Sequence, residues 1–203
     1  MLKHVRRLTL PLTLVLVTTA LAADGDIEAG RGKSATCAAC HGADGNSTNP
    51  EWPNLAGQHA GYVARQLANF REGHRKNALM SPMAAALSEQ DMADLGAYYA
   101  NQTPTIGQAD PALAEAGERL YRGGNAETGV PACMACHAPD GVGNPGAGYP
   151  ALRGQHATYT AKQLDDYREE TRLGPGSELM KTISLRLTPR EIEAVSSYIQ
   201  GLH

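Results

Sequence analysis

Cys37-Ala38-Ala39-Cys40-His41 and, 96 residues later, Cys133-Met134-Ala135-Cys136-His137 decide how this 203-residue chain is read. Together they use all four of its cysteines. Cys-X-X-Cys-His is the attachment signature for c-type haem, in which two thiols bond the vinyl groups and the adjacent histidine ligates the iron. The spacing has a physical basis. Three residues along a helical turn bring both sulfurs to one side, and the next residue swings an imidazole over the ring.

Other cysteine chemistries fit worse. A thioredoxin-like redox pair needs one Cys-X-X-Cys beside a βαβ pattern, which the sequence does not offer. A zinc ribbon wants its second pair much closer than the 92 residues between Cys40 and Cys133. A disulfide framework gives no reason for a histidine after both pairs. Two covalently bound c-type haems are therefore the expected cofactors.

The compartment agrees. Residues 1–22 have a basic start (Lys3, Arg6, Arg7), an apolar run from Leu8 to Val17 and a small-x-small ending, Ala20-Leu21-Ala22. That is a signal peptide cleaved after Ala22, too short and too interrupted by Pro11 and threonines for a membrane span. Export also suits haem attachment, which in bacteria occurs outside the cytoplasm. The full chain has 18 basic and 21 acidic residues. Without the three basic residues of the signal, 15 face 21, a formal charge near −6. This argues against a nucleic-acid partner and for steering by a basic partner surface.

The whole mature chain repeats. Pro53-Asn54-Leu55-Ala56-Gly57-Gln58-His59-Ala60 returns 97 residues later as Pro150-Ala151-Leu152-Arg153-Gly154-Gln155-His156-Ala157. Met80, Leu87 and Tyr98 return 100 residues later as Met180, Leu187 and Tyr198. The expected organisation is an N-terminal domain over 23–102, a linker over 103–109 and a C-terminal domain over 110–203. The linker reading rests on Thr103-Pro104-Thr105 and Gly107, followed by Asp110-Pro111 as a helix N-cap with proline at the first position. Halves of 80 and 94 residues are near the low end for an independent core. A porphyrin would add apolar volume and make the cofactor part of the folding unit.

Periodicity is helical throughout and predicts an all-α fold. Val63, Leu67 and Phe70 follow i, i+4, i+7, with Leu164 and Tyr167 in the matching places. A helix opening at Ser88 buries Met92, Leu95 and Tyr99. Its copy opens on the capping box Thr188-Pro189-Arg190-Glu191 and buries Ile192, Val195 and Ile199. Earlier helices pass through Gly30 and Gly117, where a small residue permits close packing.

His41 and His137 each supply one axial ligand. In the second half only Met134 and Met180 are available as thioethers, and Met134 sits inside the attachment loop. Met180 precedes Thr188 by eight residues, as Met80 precedes Ser88. The repeat thus selects Met80 and Met180 as distal ligands, with Met83 the rival in the first half and Met92 a core residue. A thioether ligand raises the potential and closes the iron to small molecules, favouring electron transfer over oxygen or peroxide chemistry. His59 and His156 read as solvated or propionate-contacting, His74 has no partner in the repeat and His203 is the terminus. The Pro53 and Pro150 carbonyls are candidates to accept the free N–H of His41 and His137.

Cys37-Ala-Ala-Cys-His-Gly, Asp44-Gly45-Asn46-Ser47, Leu55-Ala56-Gly57-Gln58, Leu120-Tyr-Arg-Gly-Gly and the tail from Ser197 to His203 form an ordered set. In that set the chain resembles the cytochrome c4 family, dihaem members of the class I cytochromes c, over its mature length. The resemblance implies two tandem class I domains facing each other about a pseudo-twofold axis. Each would wrap one covalent haem, with propionates near the interface and ligands at His41, Met80, His137 and Met180. It implies a carrier, not an enzyme, moving electrons from an upstream donor towards terminal oxidases in the periplasm, often loosely membrane-associated. The stretch Leu79-Met80-Ser81-Pro82-Met83 departs from the second half. Two other classes share features: the dihaem subunit of a flavoprotein sulfide dehydrogenase, and a dihaem peroxidase, for which no distal acid–base residue is identifiable.

Overall fold

The computed structural model describes residues 24–203, so the expected signal segment lies outside the described residues. The chain forms ten α-helices there: α1 (Ile27–Lys33), α2 (Ala38–His41), α3 (Ala60–Arg71), α4 (Met80–Ala85), α5 (Glu89–Ala100), α6 (Pro111–Gly123), α7 (Met134–His137), α8 (Ala157–Arg168), α9 (Ser177–Ser184) and α10 (Pro189–Gln200). Among the described residues β pairing is confined to isolated bridges, so the all-α expectation holds. No helix there is long and apolar enough to cross a membrane.

The same five-helix arrangement occurs twice. In the first half α5 packs on α1 and α3, and in the second α10 packs on α6 and α8. The crossings depend on glycine. A Cβ at Gly30 would stand 2.0 Å from the Asp94 carbonyl oxygen, and one at Gly117 2.3 Å from that of Ala194. Two backbones therefore touch at each crossing, as the two glycines predicted.

The helix starts follow the sequence signals. Ser88 caps α5 in a reciprocal box with Asp91, and Thr188 caps α10 with Glu191, each side chain satisfying an orphan amide. Asp110 accepts from the Ala112 amide at the start of α6, with Pro111 behind it. Residues 103–109 carry no helix and touch both halves: the Thr105 amide donates to Asn46 and the Gly107 amide to the Gln200 carbonyl. Each half has its own core. Val63, Leu95, Tyr98 and Tyr99 form the first, with Cys37 at its edge. Leu120, Ile192, Val195 and Ile199 belong to the second, bordered by Cys133 and Met180.

The halves differ where Asp94 stands opposite Ala194 of the repeat. Its buried carboxylate accepts from Lys33 Nζ (2.6 Å), the Asp26 amide (2.9 Å) and Gln90 Nε2 (2.7 Å). The Lys33 bond first, then the Asp26 amide and Gln90, hold the carboxyl at about 2. An unfolded aspartate titrates near ~3.9. A depressed folded pKa stabilises fully above that value and is lost as pH falls from about 4 towards 2. Acid is thus expected to loosen the first half before the second. Asp94→Ala should lower its melting temperature near neutrality and flatten its acid dependence, as read from circular-dichroism melts across that window. An unchanged acid profile in the variant would contradict this role.

Candidate functional site

Each haem motif closes a single helical turn. Cys37 and Cys133 occupy the N-cap positions of α2 and α7, and the amides of His41 and His137 return to their carbonyls at 2.9 and 3.0 Å. The four thiols are free and half-buried. Burial, more than the neighbouring Cys136, pushes Cys133 up to about 11. That is the reverse of an activated redox thiol, whose thiolate is favoured by nearby positive charge.

The two histidines are buried, at 6 and 7 % exposure. His41 Nδ1 lies 2.9 Å from the Pro53 carbonyl oxygen, and His137 Nδ1 2.9 Å from that of Pro150. A carbonyl only accepts, so each Nδ1 carries the proton and donates it. Desolvation lowers both imidazole pKa values, against a smaller opposing effect of the carbonyl, and keeps the rings neutral. A neutral ring with its proton fixed on Nδ1 presents an Nε2 lone pair, which is what a metal ligand needs. The carbonyl just beyond each motif is tied by a tyrosine: Tyr98 Oη donates to Ala43 (2.8 Å), Tyr121 Oη to Ala138 (2.7 Å). These tyrosines come from non-equivalent helices, α5 and α6. Ala138 adopts φ +68° where the first half has Gly42 at +79°.

Met80 opens α4 and Met180 lies in α9, both half-buried. Met180 packs against the core cluster that Cys133 also borders. Met83 is 46 % exposed, whereas Met92 is buried in α5. Thiol pairs on one turn, a neutral proton-fixed imidazole beside them and a thioether from a later helix are a donor set that fits a covalent haem in each half.

The structure also shows a polar seam between the halves that sequence reasoning missed. Arg75, 8 % exposed, donates to Gln66 Oε1 of its own half (2.9 Å) and to Tyr159 Oη (2.8 Å) and Gln163 of the other. Arg172, 5 % exposed, mirrors it on Gln163 (2.9 Å), Gln66 (3.3 Å) and Tyr62. Phe70 and Tyr167 lie under the two guanidiniums at 4.6 and 4.7 Å. Every one of these residues has its counterpart 97 positions away. The signal was that recurrence. Burial would raise the Tyr159 phenol, but Arg75 and Arg172 more than offset it and leave it below its ordinary value. His156, expected in solvent or on a propionate, instead places Nε2 2.9 Å from the Ser47 carbonyl oxygen across the seam. His59 Nε2 is buried without a hydrogen-bond partner among the described residues.

Comparison with known proteins covers both halves. The cytochrome c family model matches residues 27–103 and 114–203. Cytochrome c4 of Stutzerimonas stutzeri is 50 % identical, over 95 % of this chain and 97 % of its own. The thiosulfate dehydrogenase electron acceptor of Stutzerimonas stutzeri (strain A1501) is 40 % identical, over 93 % of this chain and 91 % of its own. The crystal structure of reduced recombinant cytochrome c4 from Pseudomonas stutzeri superposes with a TM-score of 0.85 at 51 % identity, over 88 % of this chain and 100 % of that one. The chain therefore belongs to the cytochrome c4 family: it is an electron-transfer protein of two cytochrome c domains with two covalently bound c-type haems.

Proposed function

We propose that this protein is a periplasmic carrier that passes single electrons between an upstream donor and a terminal oxidase. In this reading Cys37 and Cys40 hold one haem and Cys133 and Cys136 the other. His41 with Met80 ligates the first iron, and His137 with Met180 the second. The domains run over 23–102 and 110–203, joined by 103–109, after export by a signal cleaved at Ala22. The observation that carries the reading is the repeated geometry of a buried, neutral imidazole whose Nδ1 proton is committed to a proline carbonyl beside two free thiols.

Bound haem supplies a one-electron couple between ferric and ferrous iron. The chain's part is to fix the ring nitrogens, bury the attachment turn and fill the distal position. A thioether there leaves no open coordination site, which favours a carrier over an enzyme. The near −6 charge of the mature chain suits a basic docking surface on a redox partner and no nucleic acid; contact with the membrane would be peripheral.

A second reading concerns the donor. Relatives 40–41 % identical are named thiosulfate dehydrogenase electron acceptors, which favours a sulfur-compound dehydrogenase upstream. Both readings require the same ligation. The test is the far-red absorbance band of methionine-bound ferric haem, counted per haem during a reductive titration. Two electrons per chain and full intensity for two haems are expected; half intensity or none overturns the two-methionine assignment.

A further inference from the structure

The proline carbonyls that hold the two histidines belong to peptide units that also reach across the seam. The Pro53 carbonyl accepts from His41, and the amide of that same peptide, on Asn54, donates to Gln155 Oε1 at 2.9 Å in the other half. Gln155 Nε2 returns to the Asn54 carbonyl at 2.9 Å, so its side chain is held at both ends. The mirror arrangement is complete. His137 donates to the Pro150 carbonyl, the Ala151 amide donates to Gln58 Oε1 at 3.0 Å, and Gln58 Nε2 returns to the Ala151 carbonyl at 2.9 Å. The two glutamines are 97 residues apart in sequence and close one pseudo-twofold pair.

We propose that each half tunes the other's proximal histidine: Gln155 acts on His41 through the Pro53–Asn54 peptide, and Gln58 acts on His137 through the Pro150–Ala151 peptide. The glutamines are positioning residues, and the inference rests on the histidine ligation proposed above. The physical link is polarisation along a hydrogen-bonded chain. An acceptor on a peptide N–H pushes electron density onto the nitrogen, which passes it into the amide π system and leaves the carbonyl oxygen of that peptide more negative. A more negative oxygen takes a stronger bond from Nδ1–H, which makes the imidazole a more basic ligand. A more basic ligand favours ferric over ferrous iron. Removing the glutamine oxygen therefore weakens the chain and raises the potential of the haem in the opposite domain.

The crossed pattern distinguishes this from ordinary packing. Gln58 Oε1 and Gln155 Oε1 each also accept the amide of the following histidine, at 3.0 and 3.1 Å. A purely structural role would then disturb the glutamine's own half at the start of α3 or α8. The two paths are not identical. Asn54 adds a bond from Nδ2 to the Gly154 carbonyl (2.8 Å) and accepts from the Ser47 amide (2.8 Å), whereas Ala151 has no side-chain polar group to do either. The His41 path is thus the more firmly braced of the two.

The experiment uses the mature holoprotein with Gln155→Met and Gln58→Met, substitutions that keep length and remove both polar ends. Potentials are read for each haem by spectroelectrochemistry, and the Nδ1–H resonances of His41 and His137 by NMR. Gln155→Met is expected to raise the reduction equilibrium constant of the His41 haem two- to fourfold, about 18–36 mV at 59 mV per decade. It moves the His41 Nδ1–H resonance upfield and changes the His137 haem by less than half as much. Gln58→Met gives the mirror result. Gln155→Glu keeps an oxygen for the Asn54 amide and should hold the His41 resonance at or downfield of its wild-type position. Tyr159→Phe removes a seam bond outside the path without changing charge and should move neither resonance. A shift confined to the variant's own half, equal shifts in both haems, or no shift in either variant overturns the proposal. Absence of imidazole resonances shifted by iron in the wild-type protein would instead overturn the ligation itself, and is read before any variant is made.

Discussion

Met180→Ala is expected to halve the far-red band of the ferric protein and to lower the potential of one haem while sparing the other; Met80→Ala should do the same to its partner. The reasoning follows from the distal ligand. A thioether favours ferrous iron, and replacing it with water or another hard ligand favours ferric iron. The expected fall is on the order of 0.1–0.3 V, well inside the ~0.8 V span over which axial ligands set haem potentials. The measurement is the band intensity per haem together with a potentiometric titration resolving two steps. Met83→Ala is the decisive companion in the first half. Its side chain is 46 % exposed, while Met80 is half-buried at the start of α4. Met83→Ala should leave the band intact. Loss of half the band in Met83→Ala and none in Met80→Ala would transfer the ligand role to Met83.

The largest expected loss of stability comes from one methyl group at a helix crossing. At Gly117 a Cβ would lie 2.3 Å from the Ala194 carbonyl oxygen and 2.6 Å from the Tyr198 Cβ. At Gly30 it would lie 2.0 Å from the Asp94 carbonyl oxygen and 2.8 Å from the Tyr98 Cβ. The obstacles include backbone, which cannot rotate out of the way as a side-chain end can. The helices must separate, opening cores that contain Leu95 and Tyr99 on one side and Val195 and Ile199 on the other. Overpacking of this kind costs about 3 kcal/mol. Gly117→Ala should lower the urea midpoint of the second half, and Gly30→Ala that of the first. Gly32→Ala in α1 serves as the control, since its Cβ meets nothing within 4 Å. Ala there replaces the more flexible residue in a helix and should stabilise by about 0.5–1 kcal/mol. A loss in the Gly32 variant as large as that in the Gly30 variant would show that the crossing does not set the effect.

Much of each half was legible because its signals are local. The Cys-X-X-Cys-His turn needs only one helical turn to bring its donors together, and α2 and α7 are that turn. Capping at Ser88 and Thr188 is decided within four residues, as is the Asp110-Pro111 start of α6. The proline carbonyls, 12 and 13 residues beyond the histidines, were candidates because the Pro-X-Leu-X-Gly element recurs in register after each motif. The tying tyrosines were harder. Tyr98 and Tyr121 do the same work from different helices, so the repeat gave no matched pair to notice.

By itself the amino-acid sequence determined the duplication, the helical class, the attachment turns and the candidate methionines. Those properties depend on spacings within one turn or on a register shared by both halves. Only the tertiary structure decided what the recurring polar residues do. Tyr62, Gln66 and Arg75 return 97 residues later just as Gln58 does, yet recurrence marks a core, a surface and an interface alike. Docking the two halves face to face buries both arginines and gives each a phenol and an amide oxygen from the opposite half, Tyr159 and Gln163 for Arg75 and Tyr62 and Gln66 for Arg172. It also brings each glutamine to the peptide that holds the other half's histidine. A polar side chain has no preferred partner until folding removes water from around it, and which oxygen then lies within reach is a property of the packed pair of domains.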